Sequence, residues 1–211
     1  MGLPMTTMRD RLAAMLDHPR LFNLVQLVTC GNQSRTRRMI RDGLQIRPGE
    51  RLLDVCCGTG EFADLAAGPY LGVDINARYV EYAQRRHGVG AGHPECVFLV
   101  QDVTREDFGR EHGVFPKAMF VNGLHHLDDG RAGAVLAAIA RATDGRVVIV
   151  DMDPAPGRAV SRWLAGLDRG RHIRPLADQV ALAARFFNVE ASAAFYSGVW
   201  GQAILVCTTR R

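Results

Sequence analysis

From about residue 50 onward, short apolar runs alternate with stretches in which apolar residues recur at helical spacing. The apolar runs predict five strands, at 51–55, 70–74, 96–100, 118–122 and 147–151. The stretches between them predict helices at 61–67, 78–86 and 129–143. Several runs are apolar throughout, as in a parallel sheet that is covered on both faces. The alternation therefore predicts a doubly wound α/β sheet with right-handed crossovers.

The two ends of the chain depart from this rhythm. Apolar residues at helical spacing in the first 45 residues predict a group of N-terminal helices. After the fifth strand, an amphipathic piece at 160–167 and a helix at 175–186 precede two closing runs at 188–196 and 202–208. The five residues between those runs are too few for a parallel crossover, so the runs predict an antiparallel hairpin. We therefore expect a seven-stranded, mostly parallel sheet with an antiparallel last strand.

Length and composition narrow the class of protein. The 211 residues, 47% of them hydrophobic, suffice for one globular domain at 46–211 with an N-terminal helical lid at 1–45. No uncharged apolar run reaches the length of a membrane span, and residues 1–20 lack the apolar core of a signal peptide. We therefore expect a cytoplasmic protein without a membrane span.

The charged residues and cysteines argue against two further classes. The formal net charge is +4, and the arginines that carry it are spread over every segment rather than clustered as on a nucleic-acid-binding face. The five cysteines are irregularly spaced and include the adjacent pair Cys56 and Cys57. That pattern fits neither a disulfide framework nor a zinc site, so we expect reduced thiols and no metal.

The stretch at 52–63 carries the clearest signal of function. An apolar strand reaches Asp54, and a tight turn containing Gly58 and Gly60 follows it. Glycine lets the backbone approach a ligand closely and adopt φ values that other residues resist. The turn is expected to end at a helix N-terminus, where free N–H groups can bind an anionic or polar group. This pattern predicts a nucleotide-type cofactor site.

Polar residues also end the next three predicted strands: Asp74, Asp102 and Asn122. In an open α/β sheet, ligands bind outside the carboxyl ends of the strands, so these residues are expected to converge on one crevice. A carboxylate at Asp74 could accept hydrogen bonds from two ribose hydroxyls. Asp102 could accept one from an adenine amino group, while the backbone N–H of Val103 donates to the ring.

With these residues the sequence resembles the class I S-adenosylmethionine-dependent methyltransferases over residues 45–210, approximately. The segments 53–60 and 122–129 are similar to the small-molecule branch, which includes the ubiquinone and menaquinone C-methyltransferases and many enzymes of natural-product biosynthesis. The family usually has glycine where Cys56 stands, and an acid where Pro116 follows Phe115.

The resemblance implies a cofactor and a set of residues that hold it. The cofactor is S-adenosyl-L-methionine, which leaves as S-adenosyl-L-homocysteine. Asp54, Gly58 and Gly60 would hold its methionine portion. Asp74 would hold the ribose, and Asp102 with Val103 the adenine. The rest of the expected cofactor site is Cys56, Thr59, Ile75 and Asn122.

His125 is the candidate catalytic residue. Its spacing from Leu127 and Asp129 resembles the strand-four segment of small-molecule O-methyltransferases, in which such a histidine deprotonates the acceptor hydroxyl. Imidazole has a pKa near neutrality, which suits a general base. The alternative is that His125 and His126 only line the pocket or pack in the core. The expected reaction is methyl transfer by in-line displacement to oxygen or carbon of a small-molecule acceptor.

Two other functions stay open on the sequence. Gly58, Gly60 and Ala63 also fit the dinucleotide fingerprint of an NAD(P)-dependent oxidoreductase, although Asp54 beside the turn would repel a pyrophosphate. A protein that binds S-adenosylmethionine without transferring its methyl group, for example to assist a cyclisation, would have the same motifs. Nucleic acid is not expected as a partner, because no Asn/Asp-Pro-Pro-aromatic motif follows the fourth strand. A homodimer is left open.

Overall fold

The structure is a computed structural model that describes residues 18–31, 33–88, 95–154 and 171–210. Its helices are α1 (Pro19–Cys30), α2 (Ser34–Leu44), α3 (Ala77–His87), α4 (Phe108–His112), α5 (Asp129–Ala142) and α6 (Leu176–Ala183). Its strands are β1 (Leu52–Val55), β2 (Tyr70–Asp74), β3 (Cys96–Val100), β4 (Phe115–Val121), β5 (Thr143–Met152), β6 (Phe187–Ser197) and β7 (Trp200–Thr209). Single 3₁₀ turns lie at Ala63–Leu65 and Leu124–His126. The amphipathic piece expected at 160–167 lies outside the described residues.

The seven strands form one sheet in the order β3-β2-β1-β4-β5-β7-β6. Strands β1 to β5 pair in parallel, and β7 runs antiparallel to both β5 and β6. This confirms the expected sheet and its closing hairpin. The strand order reverses between β1 and β4, and a ligand crevice is expected at the carboxyl ends of these strands.

Two apolar layers cover the faces of the sheet. Alternate residues of a strand point to opposite faces, so Leu53 joins the layer that contains Ile139 of α5, while Leu52 joins the layer that contains Ile40 of α2. Gly43 lets α2 lie directly on the sheet, because a Cβ there would come within 2.8 Å of the Val148 side chain. Of the segment expected to form a lid, α2 thus packs in the core, and α1 lies closer to the carboxyl edge.

The connection from β1 to β2 differs from the prediction. A helix at 61–67 is wrong, because the chain makes only the 3₁₀ turn at Ala63–Leu65. Fourteen residues separate the two strands, and the last of them is Pro69, which disfavours a helical conformation at Gly68. Gly68 also packs on backbone, since a Cβ there would lie 2.6 Å from the carbonyl carbon of Gly49. The expected helix N-terminus after the glycine turn is therefore missing.

Strand β4 begins three residues earlier than the pattern predicted, at Phe115, and it ends at Val121 rather than Asn122. The early part contains Pro116, and the pairing of β4 with β5 shifts register between Phe115 and Lys117. Proline has no N–H to donate to a neighbouring strand, so it is tolerated at such an irregularity. This local break in alternation hid the start of the strand.

Candidate active site

The glycine turn is tied to the end of β2 through Asp74. The N–H of Gly58 donates to Asp74 Oδ2 at 2.9 Å, and the N–H of Asn76 donates to Oδ1 at 2.8 Å. Burial raises the pKa of Asp74, while these backbone hydrogen bonds lower it. Gly58 has φ +54°, and an added Cβ would meet nothing within 4 Å. The Asp74 carboxylate therefore fixes the backbone of the turn, and there is open space where a side chain at Gly58 would stand.

Cys56 follows β1 directly and lies within the influence of several acidic side chains. Its φ of +58° lies in the left-handed region, which explains why glycine is usual at this position in the resembled family. Burial raises the pKa of its thiol far above the ordinary value, so it stays protonated at neutral pH. Four nearby carboxylates raise that pKa further: Asp74, Asp54, Asp151 and Asp102. These acids lie in or just after the carboxyl-terminal parts of four strands, and each is near enough for its charge to act on the Cys56 thiol.

Asp54 lies beneath this edge in the core, where it is only 1% exposed. The hydroxyl of Tyr70 on the neighbouring strand donates to Asp54 Oδ2 at 2.6 Å. Burial raises the pKa of Asp54 to about 7, although the hydrogen bond from Tyr70 lowers it. Tyr70 was missed as a site residue, because a tyrosine at the start of a strand carries no signal of such a partner.

Ile75, Asp102 and Val103 occupy the side of the crevice next to β2 and β3. Ile75 is 76% exposed. Asp102 is exposed, and its Oδ1 accepts hydrogen bonds from the backbone N–H and the hydroxyl of Thr104, at 2.9 and 2.7 Å. Val103 is buried in the core. Asp102 therefore already stabilises a local turn at the edge of the crevice.

Thr59 and Asn122 are held by distant parts of the chain. The hydroxyl of Thr59 donates to Asn23 Oδ1 of α1 at 2.8 Å. Asn122 follows β4 with φ +53°, and its Oδ1 accepts a hydrogen bond from Gln202 Nε2 of β7 at 3.2 Å. Gln202 Oε1 in turn accepts one from the Thr36 hydroxyl of α2, also at 3.2 Å. Two N-terminal helices and the last strand thus help to fix the cofactor edge.

His125 forms a buried pair with Asp151, the residue near the end of β5. The ring Nδ1 lies 2.6 Å from Asp151 Oδ1, and the two side chains are 5% and 2% exposed. Asp151 also accepts the backbone N–H groups of Leu124 at 2.5 Å, of His125 at 3.2 Å and of Met152 at 2.6 Å. The ring of His126 lies against that of His125, with centroids 4.0 Å apart and ring planes tilted by 45°. Asp151 was missed, although it ended a predicted strand just as Asp74 did.

Arg174 fixes the loop that carries the two histidines. Its guanidinium donates to the carbonyl oxygens of Leu124 at 3.1 Å and Leu127 at 2.7 Å, and it pairs with Asp129 at 2.7 Å. The side chain is only 11% exposed. The loop after β4 is therefore stabilised from both sides, by Asp151 beneath it and by Arg174 over it.

The structure brings most of the predicted site residues together. Gly58, Asp74, Asp102 and Asn122 lie at the carboxyl edge, with Cys56 among them, whereas Asp54 lies beneath it on Tyr70. Within residues 18–31, 33–88, 95–154 and 171–210, no group of three His, Cys, Asp or Glu side chains could hold a metal ion. In the same ranges, no helix has the length and apolar character needed to cross a membrane. Because Asp74 and Asp102 lie at the carboxyl edge of the sheet, that edge is acidic and suits a cationic ligand better than an anionic one.

Residues 52–145 match the methyltransferase domain family. The chain is 30% identical over 177 residues to a demethylmenaquinone methyltransferase of Beutenbergia cavernae, covering 81% of this chain and 69% of that protein. It is 35% identical over 145 residues to a 23S rRNA (uracil(1939)-C(5))-methyltransferase of Cronobacter sakazakii. That match covers 65% of this chain but 31% of the relative, so the chain spans less than a third of that protein's length.

A solved structure agrees with this family at the level of the fold. It is the magnesium protoporphyrin IX methyltransferase of Synechocystis PCC 6803 with bound S-adenosylhomocysteine, which superposes with a TM-score of 0.68 at 19% identity. The match covers 85% of this chain and 84% of the other. By family match, sequence identity and fold, the chain belongs to the class I S-adenosylmethionine-dependent methyltransferases.

Proposed function

We propose that this chain transfers a methyl group from S-adenosylmethionine to an oxygen or carbon atom of a small-molecule acceptor, such as a quinone precursor or a natural product. The observation that carries the proposal is the buried His125–Asp151 pair on the loop after β4, next to the acidic cofactor edge. The similarity to a demethylmenaquinone methyltransferase over most of the chain supports a small acceptor.

The residues at the edge fit the cofactor. Gly58 leaves open space where a side chain would stand, and the exposed Ile75 offers an apolar surface against which a flat base can pack. Asp74 would hold the ribose, Asp102 and Val103 the adenine, and the glycine turn the methionine portion. When bound, the cofactor supplies an electrophilic methyl group on a sulfonium, open to in-line displacement. A pyrophosphate would meet the carboxylates instead, which argues against NAD(P).

His125 would remove the proton from the acceptor. Its Nδ1 faces the Asp151 carboxylate at 2.6 Å, so Nδ1 carries the proton and Nε2 carries the lone pair. The negative charge of Asp151 stabilises the imidazolium that forms when Nε2 takes up a proton. Asp151 acts as a positioning residue, since it fixes the tautomer and binds the loop backbone. General base catalysis of this kind contributes roughly 10²–10⁴-fold.

The acceptor can be identified with deuteromethyl-labelled S-adenosylmethionine. The protein is incubated with the labelled cofactor and either a small-metabolite extract or total RNA, and mass spectrometry locates the label. We expect a product heavier by a trideuteromethyl group in the metabolite fraction, on oxygen or carbon. Label in RNA alone would overturn the small-molecule proposal. Tight cofactor binding with no labelled product in either fraction would favour the non-methylating alternative.

The role of His125 is tested with the acceptor so identified. We expect His125→Gln to lower kcat about 10²–10⁴-fold while the affinity for S-adenosylhomocysteine is unchanged. Asp151→Asn should lower kcat less and shift the pH dependence of kcat, because an amide stabilises the imidazolium poorly. His126→Gln is the matched control, since it alters the neighbouring ring and leaves the His125–Asp151 pair in place. A full rate for His125→Gln would rule out the proposed base.

We further propose that, of the N-terminal segment 1–45, the part before α2 serves as the lid of a cytoplasmic catalytic domain at 46–211, while α2 packs in the core of that domain. Support comes from the hydrogen bond between Asn23 of α1 and Thr59 of the glycine turn. A lid of this kind excludes water from the reacting groups. Deletion of residues before Ser34 should then weaken cofactor binding, while the domain that remains keeps a cooperative unfolding transition in urea.

A further inference from the structure

Helix α1 carries a set of exposed aliphatic side chains. Leu24, Leu27 and Val28 are 55%, 59% and 76% exposed, and their spacing of three and four residues places them on one face. The polar side chain of Asn23 instead points to the protein, where it accepts the hydrogen bond from Thr59. A surface helix ordinarily buries its apolar stripe and exposes its polar residues. Among the side chains of α1 that the structure describes, this arrangement is reversed.

Exposed hydrophobic side chains are concentrated on α1. Among the described residues, eight large hydrophobic side chains are exposed, and four of them belong to α1: Leu24, Val25, Leu27 and Val28. The helix is held in place at both ends of this stripe, because Asn23 bonds to Thr59 and the Thr29 carbonyl accepts the N–H of Val199 at 3.0 Å. A contiguous apolar patch on a fixed element is typical of an interaction surface.

Basic side chains lie at the start of the same helix. A cleft of about 550 Å³ between α1 and α3 is lined by His18, Pro19, Arg20, Tyr82, Arg85 and Arg86. Arg20 precedes Leu24 by four residues, so it continues the aliphatic stripe on the same face. Helix α1 contains no acidic residue, and Arg85 is paired with Glu81 across an exposed turn of α3. The surface therefore combines aliphatic side chains with adjacent positive charge.

We propose that this face of α1, together with the arginine cleft, docks on the surface of an anionic lipid bilayer. Interfacial helices bury Leu and Val side chains in the acyl boundary while neighbouring arginines bind lipid phosphates. The reversed polarity of α1 fits this arrangement, since its polar side contacts the cofactor turn and its apolar side faces outward. This association does not depend on the acceptor or on methyl transfer.

Two other occupants fit the surface less well. A specific protein interface buries about 800 Å² on each partner, which is more than four exposed aliphatic side chains offer. A symmetric pairing of two copies would bring a second set of these arginines against the first, and Glu81 is already paired with Arg85. Single-stranded RNA is bound by aromatic stacking as well as positive charge, whereas the exposed side chains of this stripe are aliphatic and Tyr82 of the cleft is half-buried.

Vesicle sedimentation with the full chain tests the proposal. We expect the protein to sediment with phosphatidylcholine vesicles that contain phosphatidylglycerol, far less with pure phosphatidylcholine, and less as salt increases. The double variant Leu24→Ser with Leu27→Ser should bind these vesicles about tenfold more weakly or worse. The double variant Arg85→Gln with Arg86→Gln should lose about fivefold for each arginine.

Matched controls separate this surface from general effects. Val97→Ser with Val114→Ser removes exposed aliphatic side chains elsewhere, and Arg110→Gln with Arg141→Gln removes the same charge elsewhere. Both controls should bind vesicles like the unaltered protein. Equal losses in the controls, or no vesicle binding by the unaltered protein, would overturn the proposal. So would an α1 variant that binds vesicles normally but loses self-association or binding to total RNA.

Discussion

The carboxylate of Asp54 and the hydroxyl of Tyr70 form a short hydrogen bond beneath the cofactor turn, in a position with almost no access to water. Burial holds the pKa of Asp54 at about 7, well above its value in an unfolded chain. The free energy needed to ionise Asp54 is therefore higher in the folded protein than in the unfolded chain. A cationic ligand above it would favour the ionised form.

This difference in pKa makes stability depend on pH. Between about pH 4 and pH 7 the folded protein binds a proton at Asp54 that the unfolded chain has lost, so the free energy of unfolding should fall as pH rises. The fall due to this group is roughly 4 kcal/mol. Urea unfolding across this pH range measures the effect: the free energy of unfolding should fall by this amount more in the unaltered protein than in Asp54→Asn. Parallel pH profiles would contradict the assignment.

Tyr70→Phe tests the same pair from the other side. The hydrogen bond from Tyr70 lowers the pKa of Asp54, so its removal should raise that pKa further. We expect a loss of about 1–3 kcal/mol in the free energy of unfolding at pH 8, where the carboxylate would be left without its buried donor. The loss should be smaller at pH 4, where Asp54 is protonated with or without Tyr70. Urea unfolding at the two pH values measures the difference.

Asp74 has two roles, since it anchors the glycine turn and is the proposed ribose ligand. We expect Asp74→Ala to weaken binding of S-adenosylhomocysteine by about 1–3 kcal/mol in calorimetric titration, because buried donors lose their acceptor. Asp144→Ala, at an exposed position near the start of β5, is the control and should bind normally. An unchanged affinity for Asp74→Ala would defeat the ribose assignment.

For single residues, the sequence predicts those that follow a general rule of position in the sheet. It misses those whose role depends on a hydrogen-bond partner far away in the chain. Asp74 was predictable because polar residues at the carboxyl ends of parallel strands face the ligand crevice. The same rule could have indicated Asp151. Tyr70 and Gln202 could not have been predicted, because their partners Asp54 and Asn122 lie 16 and 80 residues away in the chain.

Among the elements, α2 stabilises the short connection that replaces the expected helix after β1. Arg37 of α2 pairs with Glu61 at 2.8 Å and with Asp64, and its guanidinium lies over the Phe62 ring at 5.2 Å. A 3₁₀ turn of three residues has little stability of its own, since it closes few hydrogen bonds. The cofactor turn thus depends on a helix that precedes it in the chain.

We expect Arg37→Ala to destabilise the protein by about 1–2 kcal/mol, the combined effect of an ion-pair network and a cation–π contact. It should also weaken cofactor binding, because the connection continues directly from Gly60. Arg38→Ala, one position along the same helix and exposed, should change stability by less than about 0.5 kcal/mol. Urea unfolding and calorimetric titration of both variants provide the comparison, and equal effects would contradict the role of Arg37.

The strands were predictable because buried parallel strands are continuous apolar runs, and two of them, β2 and β3, begin and end where the sequence indicated. The helix at 61–67 was wrong for a reason of context. Its residues have adequate helical propensity, but Gly68 and Pro69 return the chain at once to β2. The short length of the connection between β1 and β2, and not the helical propensity of its residues, determines the structure there.

For the whole molecule, the acidic edge of the sheet exists only in the folded protein, so a cationic cofactor that binds there should raise the free energy of unfolding. A ligand that binds only the folded protein adds about 2.7 kcal/mol at a hundred times its Kd. For a domain of this size that corresponds to a rise in Tm of about 5–10 °C. We expect this rise with S-adenosylhomocysteine in differential scanning fluorimetry and none with NAD⁺ or NADP⁺. A rise with the dinucleotides would contradict the charge argument.

The hydrogen bonds from Thr36 to Gln202 and from Gln202 to Asn122 have a consequence for biosynthesis of the chain. They join an early helix, the seventh strand and the residue that ends β4, across 166 and 80 positions. A nascent chain still lacking β7 cannot form either bond, and Asn122 must then hold its left-handed backbone without that support. Cofactor capture on the ribosome should therefore begin only after β7 has emerged from the exit tunnel.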